Sequence, residues 1–158
     1  MSPRVSKSRE VARVPRRRIL GGAFAAGLTA ALGKEADAGE GFFVVVHPDN
    51  PNVASTRAFL ALAFLKKTSR WENGEAIHPV DLGASSPVRR AFSEHVLGRS
   101  VAAVRTYWQQ RIFSGRGVPP PELASDEAVL AFVRGHRGAV GYVSSGAELR
   151  GVKALQVK

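Results

Sequence analysis

The sequence predicts an α/β domain, and three observations carry that prediction. A continuous β-prone run, Phe42-Phe43-Val44-Val45-Val46, stands between Gly41 and the turn-forming His47-Pro48-Asp49-Asn50-Pro51. A run of this kind reads as a strand buried on both faces. A second, Ala139-Val140-Gly141-Tyr142-Val143, lies near the other end of the chain. Between them, stretches with helical spacing of apolar residues alternate with shorter apolar runs, the order expected of a sheet covered by helices.

The elements follow in order. Ser55 can cap a helix reaching about Leu65, with Phe59, Leu62, Ala63 and Leu65 turned inward. Asn73-Gly74 is a tight turn, after which residues 77–82 return as a short strand. Residues 87–97 carry the clearest helical pattern, because Val88, Ala91, Phe92, His95 and Val96 fall on one apolar stripe and Gly98 closes it. Ser100 opens another helix, with Val101, Val104, Trp108 and Ile112 on one face. Ser114-Gly115-Arg116-Gly117 and Pro119-Pro120-Pro121 make a loop. Ser125 can cap a further helix whose first turn holds Asp126 and Glu127, where acids suit the helix dipole. Residues 139–143 are then a strand, and residues 152–157 a weaker last one.

Residues 1–38 read differently, as a cleavable export signal ahead of a single domain over residues 39–158. Arg16-Arg17-Arg18 leads into an apolar run over residues 19–32 and then into Ala36-Asp37-Ala38, a basic region, an apolar region and a small-residue cleavage site. The run is shorter than the roughly 20 residues a membrane span requires, and Gly21, Gly22, Gly27 and Thr29 weaken it further. The paired arginines and Lys34 favour twin-arginine translocation over the general secretory route. The expected location is the periplasm or another extracytoplasmic space, with no stable membrane span after cleavage.

The whole chain carries a formal charge of +10, but eight of its 23 Lys and Arg and three of its 13 Asp and Glu fall in the leader, which leaves +5 for residues 39–158. That balance suits attraction of small anions. No basic tract interleaved with aromatics is present, so a nucleic-acid partner is not expected. Cysteine is absent, which excludes disulfides, thiolate catalysis, Cys-type metal sites and lipid anchoring through an N-terminal Cys.

The chemistry is best placed in the passage Val80-Asp81-Leu82-Gly83-Ala84-Ser85-Ser86-Pro87-Val88-Arg89-Arg90. Ser86 is positioned as N-cap, and Pro87 sits at the first helical position, where its missing N–H is no loss. Unpaired first-turn amides and the positive helix end form an anion site, to which Ser85 and Ser86 add hydroxyl donors. Arg89 and Arg90 oppose the dipole there by about 0.3–1 kcal/mol. A helix start that breaks its local rule points to an arriving negative charge. On this reading Arg89→Ala weakens anion binding and leaves the empty protein equally stable, whereas Arg90, about a quarter-turn further round, matters less. The bland alternative is a plain helix cap with solvated arginines.

At this loop the chain resembles the phosphate ABC transporter substrate-binding proteins, of the type 2 periplasmic-binding-protein fold. Ser85-Ser86-Pro87-Val88-Arg89 followed by Phe92 is similar to their Gly-Ser-Gly-Thr-Arg segment with its downstream Phe. Val45-Val46-His47-Pro48 through Asn52, Trp71-Glu72-Asn73-Gly74 with Ile77 and Pro79-Val80, Tyr107-Trp108 with Ile112 to Gly117, and Gly138 to Val143 extend the likeness over residues 43–158. The resemblance implies a mixed sheet with helices packed on its faces, amounting to a single lobe. It also implies an oxyanion ligand, inorganic phosphate foremost, held by Ser85, Ser86, Val88 and Arg89, with a membrane permease or envelope receptor as partner. The departures are specific. Val88 lacks the family threonine's hydroxyl, Ser85 and Pro87 replace two glycines, and 120 residues supply about one of the family's two lobes. An interaction or sensor module of the same fold that has lost ligand affinity is the alternative.

Other chemistries find less support. His47, His78, His95 and His136 are too scattered for a metal site. Ser144-Ser145-Gly146 lacks a nucleophile elbow and reads as a post-strand turn. No cofactor, metal or enzymatic activity is expected, and Trp71 and Trp108 are expected in packing roles.

Overall fold

The computed structural model describes residues 41–158; the expected export signal and its boundary at residue 38 lie outside them. The domain is built on a mixed sheet of five strands. The central strand β1, Phe42–Val46, pairs antiparallel with β6, Ala139–Ser144, on one side and with β7, Lys153–Val157, on the other. Two short strands complete the edges: β2, Ala54–Ser55, lies parallel to β7, and β3, His78–Pro79, lies parallel to β6. A separate parallel pair is formed by β4, Asp81–Leu82, and β5, Glu122–Leu123.

The passage over residues 77–82 is therefore not one strand, as the apolar run led us to expect. Val80 N–H donates to Val140 O in the main sheet, whereas Asp81 N–H donates to Pro121 O in the small one. The chain changes sheets between these two residues. Pairing with a distant partner decided this, and a six-residue window holds no sign of it.

The four helices cover both faces. They are α1, Arg57–Phe64; α2, Pro87–Phe92; α3, Val101–Phe113; and α4, Asp126–Gly135. Val129 and Val133 of α4 face Gly141 of β6 so closely that a Cβ there would lie 2.7 Å from Val129 Cγ1. Adjacent residues of a strand point to opposite faces, so Tyr142 projects the other way, into an aromatic cluster. Its ring stacks on Phe92 of α2 with centroids 3.9 Å apart and planes 7° apart, and Phe64 of α1 lies 4.6 Å from Phe92. Aromatic pairs of this kind contribute about 0.5–1.5 kcal/mol beyond area burial.

The caps follow the chemistry of their side chains. Ser86, Ser100 and Ser125 each accept from the amide three residues on, in α2, α3 and α4. In α1 the cap is Thr56 rather than Ser55, which is drawn into β2. The buried residues of α1 are accordingly Leu60, Ala63 and Phe64, while Leu62 is exposed.

After Phe92 the helix widens into a π-helical turn, Ser93–Leu97, ended by Gly98 in the left-handed conformation. A π turn takes more residues per revolution than an α turn, so the inward face slips. Ser93, Val96 and Leu97 are buried, and His95, expected on the stripe, is exposed. Trp71 and Trp108 are both in the core, as expected, and Trp71 Nε1 donates to Gly138 O at 2.9 Å. Gly138 has φ +74°, and a Cβ there would collide with the Ala76 carbonyl oxygen. No helix among the described residues is long and apolar enough to cross a membrane.

Candidate anion-binding site

The loop between β4 and α2 places the expected residues at the carboxyl end of a strand and the start of a helix. Open α/β sheets hold ligands at the carboxyl ends of their strands. Ser85 is exposed and Ser86 half-buried. Ser86 Oγ accepts from Arg89 N–H at 3.3 Å, and Ser86 O accepts from Arg90 N–H at 3.2 Å. The serine is thus the helix cap, and its own hydroxyl hydrogen remains to be donated. Val88 turns its side chain into the core, so it offers a ligand only its backbone N–H. Arg90 is exposed on the outer side of the helix.

Arg89 is buried, at 4% exposure, where the sequence led us to expect a first-turn arginine near solvent. Its Nη1 lies 2.7 Å from Asp81 Oδ1, donates to Leu82 O at 2.6 Å and reaches Glu122 Oε1 at 3.5 Å. The parallel pairing of β4 with β5 sets Asp81 opposite Glu122, and so brings both carboxylates to one guanidinium nitrogen. Arg89 Nε is buried and has no hydrogen-bond partner. An unsatisfied buried donor costs about 1–3 kcal/mol, more when charged.

Asp81, Tyr142 and Glu122 were not singled out in the sequence. Tyr142 donates its hydroxyl to Asp81 Oδ1 in a very short hydrogen bond, and Leu82 N–H points at the same oxygen from 3.2 Å. Burial pushes the Asp81 carboxyl up to about 6 from 3.8, against the opposing pull of Arg89 and Tyr142. Burial raises the Tyr142 hydroxyl as well, and the neighbouring Asp81 raises it further. A signal for Asp81 was present: a carboxylate flanked by Val80 and Leu82 in a buried run needs a cationic or hydrogen-bonding partner. Tyr142 carried none, because its partner lies 61 residues away.

A cleft of about 170 Å³ opens beside this cluster, lined by Asp81, Ala84, Arg89, Arg105, Trp108 and Glu122 among others. Its wall thus carries two arginines and two carboxylates, a mixture suited to an anion that also donates a hydrogen bond. Ser85 and Ser86 stand outside that lining. A larger hollow of about 470 Å³ lies elsewhere, between the first turn of α4 and residues 144–150, and includes none of these groups.

No protein-family model matches the chain, and no curated protein matches it. Solved structures do. An ABC-type phosphate transport receptor from Vibrio cholerae is 24% identical with a TM-score of 0.58, over 74% of this chain and 46% of the receptor. A structure from Clostridium perfringens, described as a phosphate ABC transporter substrate-binding protein with bound phosphate, is 21% identical with a TM-score of 0.57, over 74% and 44%. PstS from Borrelia burgdorferi is 12% identical with a TM-score of 0.57, over 74% and 47%. The chain has the fold of one lobe of a periplasmic phosphate-binding protein, and spans less than half the length of the structures it matches. These neighbours are transport and binding proteins rather than enzymes.

Proposed function

We propose that this chain is an exported, non-enzymatic solute-binding protein for a small oxyanion, phosphate first among them. The observation that carries the reading is Arg89 itself. It is a buried arginine at the mouth of a small cleft, held through Nη1 while Nε remains a donor without a partner. A guanidinium fixed on one side and free on another presents a pre-oriented donor edge to an oxyanion. Ser86 Oγ–H, Ser85 Oγ–H and the Val88 amide are the neighbouring donors. The likeness to phosphate-binding lobes supports the same ligand class. The leader over residues 1–38 directs the chain out of the cytoplasm, and an ABC-type permease or envelope receptor takes the loaded protein.

One observation favours the second reading, an interaction or sensor module without ligand affinity. Asp81, Leu82 O and Glu122 already occupy Arg89 Nη1, and the shared fold covers less than half of each neighbour. Titration with phosphate, sulfate and chloride, followed by heat and by tryptophan fluorescence, decides between them. Saturable phosphate binding that Arg89→Ala weakens supports the first reading. Absence of heat for all three anions sinks it and leaves the second.

A further inference from the structure

From His95 to Pro121 the chain contains no Asp or Glu, while it carries Arg99, Arg105, Arg111 and Arg116. The fold gathers this segment into α3 and the loop that follows. Arg111 is spent internally: its guanidinium leans over Tyr107 and Trp108, and Nη2 donates to Arg116 O at 2.7 Å, tying the loop to the helix end. Arg99, Arg105 and Arg116 remain exposed. Lys66 adds a cation at the same end, with Nζ 3.4 Å from Pro119 O.

Inside this basic rim stand apolar side chains that the core does not take up. Phe113 is 91% exposed, Val118 63% and Ile112 51%. At 100° per residue, Phe113 shares the outward face of α3 with Ala102, Thr106, Gln109 and Gln110, all exposed and uncharged.

We infer that this end of α3, with residues 114–118, docks the protein on an anionic phospholipid surface. A bilayer interface accepts Phe and aliphatic groups at its acyl boundary while arginines sit at the phosphates. A projecting phenyl ring needs a complementary pocket on a protein partner and needs none on a fluid bilayer. Shape therefore selects lipid from among the negatively charged surfaces that the arginines would meet. The inference stands apart from the anion site, since it does not use Arg89, although Arg105 and Ile112 belong to both borders.

The test uses the full chain, whose lack of cysteine allows one label at a time. An environment-sensitive fluorophore is attached at Val118→Cys or, on the exposed side of α4, at Ala131→Cys. Each protein is mixed with vesicles of phosphatidylglycerol in phosphatidylcholine, or of phosphatidylcholine alone. The expected result is brightening and a blue shift at residue 118 with anionic vesicles only, and none at residue 131. Arg105→Glu with Arg116→Glu should lower the apparent affinity read at residue 118 by about tenfold or more. The two labels separate this surface from residues 1–40. A protein that sediments with anionic vesicles while residue 118 remains in water overturns the inference. An equal response to neutral vesicles also overturns it, as does retention on immobilised polyglutamate with no response to either vesicle, which assigns the surface to an acidic protein.

Discussion

Arg89 Nη1 stands 2.7 Å from Asp81 Oδ1, and each of the two side chains is only 5% exposed. A pair this dry is not a surface attraction that salt screens away. It makes the arginine a structural member of the core as well as the leading candidate for ligand contact, and the consequences can be measured separately.

The first consequence reverses an expectation drawn from helix electrostatics alone. Arg89→Ala leaves the Asp81 carboxyl buried without its cation, and should destabilise the domain by about 3–5 kcal/mol. Adding Asp81→Asn should recover part of that loss, a coupling visible in a double-mutant cycle by urea denaturation. Arg90→Ala, at an exposed position, should stay within about 0.5 kcal/mol of the parent. Equal stability of the Arg89 and Arg90 variants would mean the ion pair contributes nothing.

Titration of Asp81 should couple pH to both stability and binding. Its carboxyl is raised from 3.8 to about 6 in the fold, so the native state holds a proton that the unfolded chain has released. The associated stability is fully present below about pH 4 and is lost as pH rises through about 6. The urea midpoint should fall over that interval more in the parent than in Asp81→Asn. Protonation also leaves Arg89 less neutralised, so sulfate, whose charge is constant there, should bind more tightly at the acid end. A parent and an Asp81→Asn variant with identical pH profiles would sink both statements.

Two serine caps separate folding from ligand contact. Ser86→Ala and Ser125→Ala each remove a side-chain acceptor from a helix start, and each should cost about 1 kcal/mol of stability. Only Ser86→Ala should also weaken phosphate binding in calorimetry. Parallel behaviour of the two variants in binding would confine Ser86 to its capping role.

Gly141 tests the packing of α4 on the sheet. A Cβ there would meet Val129 Cγ1 at 2.7 Å and Val80 Cγ2 at 2.9 Å, so Gly141→Ala should cost about 1–3 kcal/mol by overpacking. Val129→Ala in the same chain should relieve part of that strain, so the double variant should lose less than the two single losses combined.

What the sequence makes legible is local. The runs over residues 42–46 and 139–143 are strands because their β-branched and aromatic residues suit a covered sheet, and Ser86, Ser100 and Ser125 cap helices because their hydroxyls reach the third amide on. The site loop was legible for the same reason. What escaped depends on residues far apart in the chain. The exchange of partners between Val80 and Asp81 requires β5, and the burial of Arg89 requires Asp81 and Glu122 at once. The displacement of His95 by Leu97 depends on a π turn that a fixed helical period cannot anticipate.

That π turn has a consequence for how the chain tolerates change in length. Residues 93–97 hold more backbone per revolution than their neighbours, so losing one of them can be absorbed by reverting to an ordinary α turn. Such a deletion would preserve the helix yet rotate everything after it by about 100°, carrying Leu97 out of the core and shifting the start of α3. An edit of one residue here would thus act as a change of phase and not as a break, and the wall that α3 lends to the Arg89 cleft would turn with it.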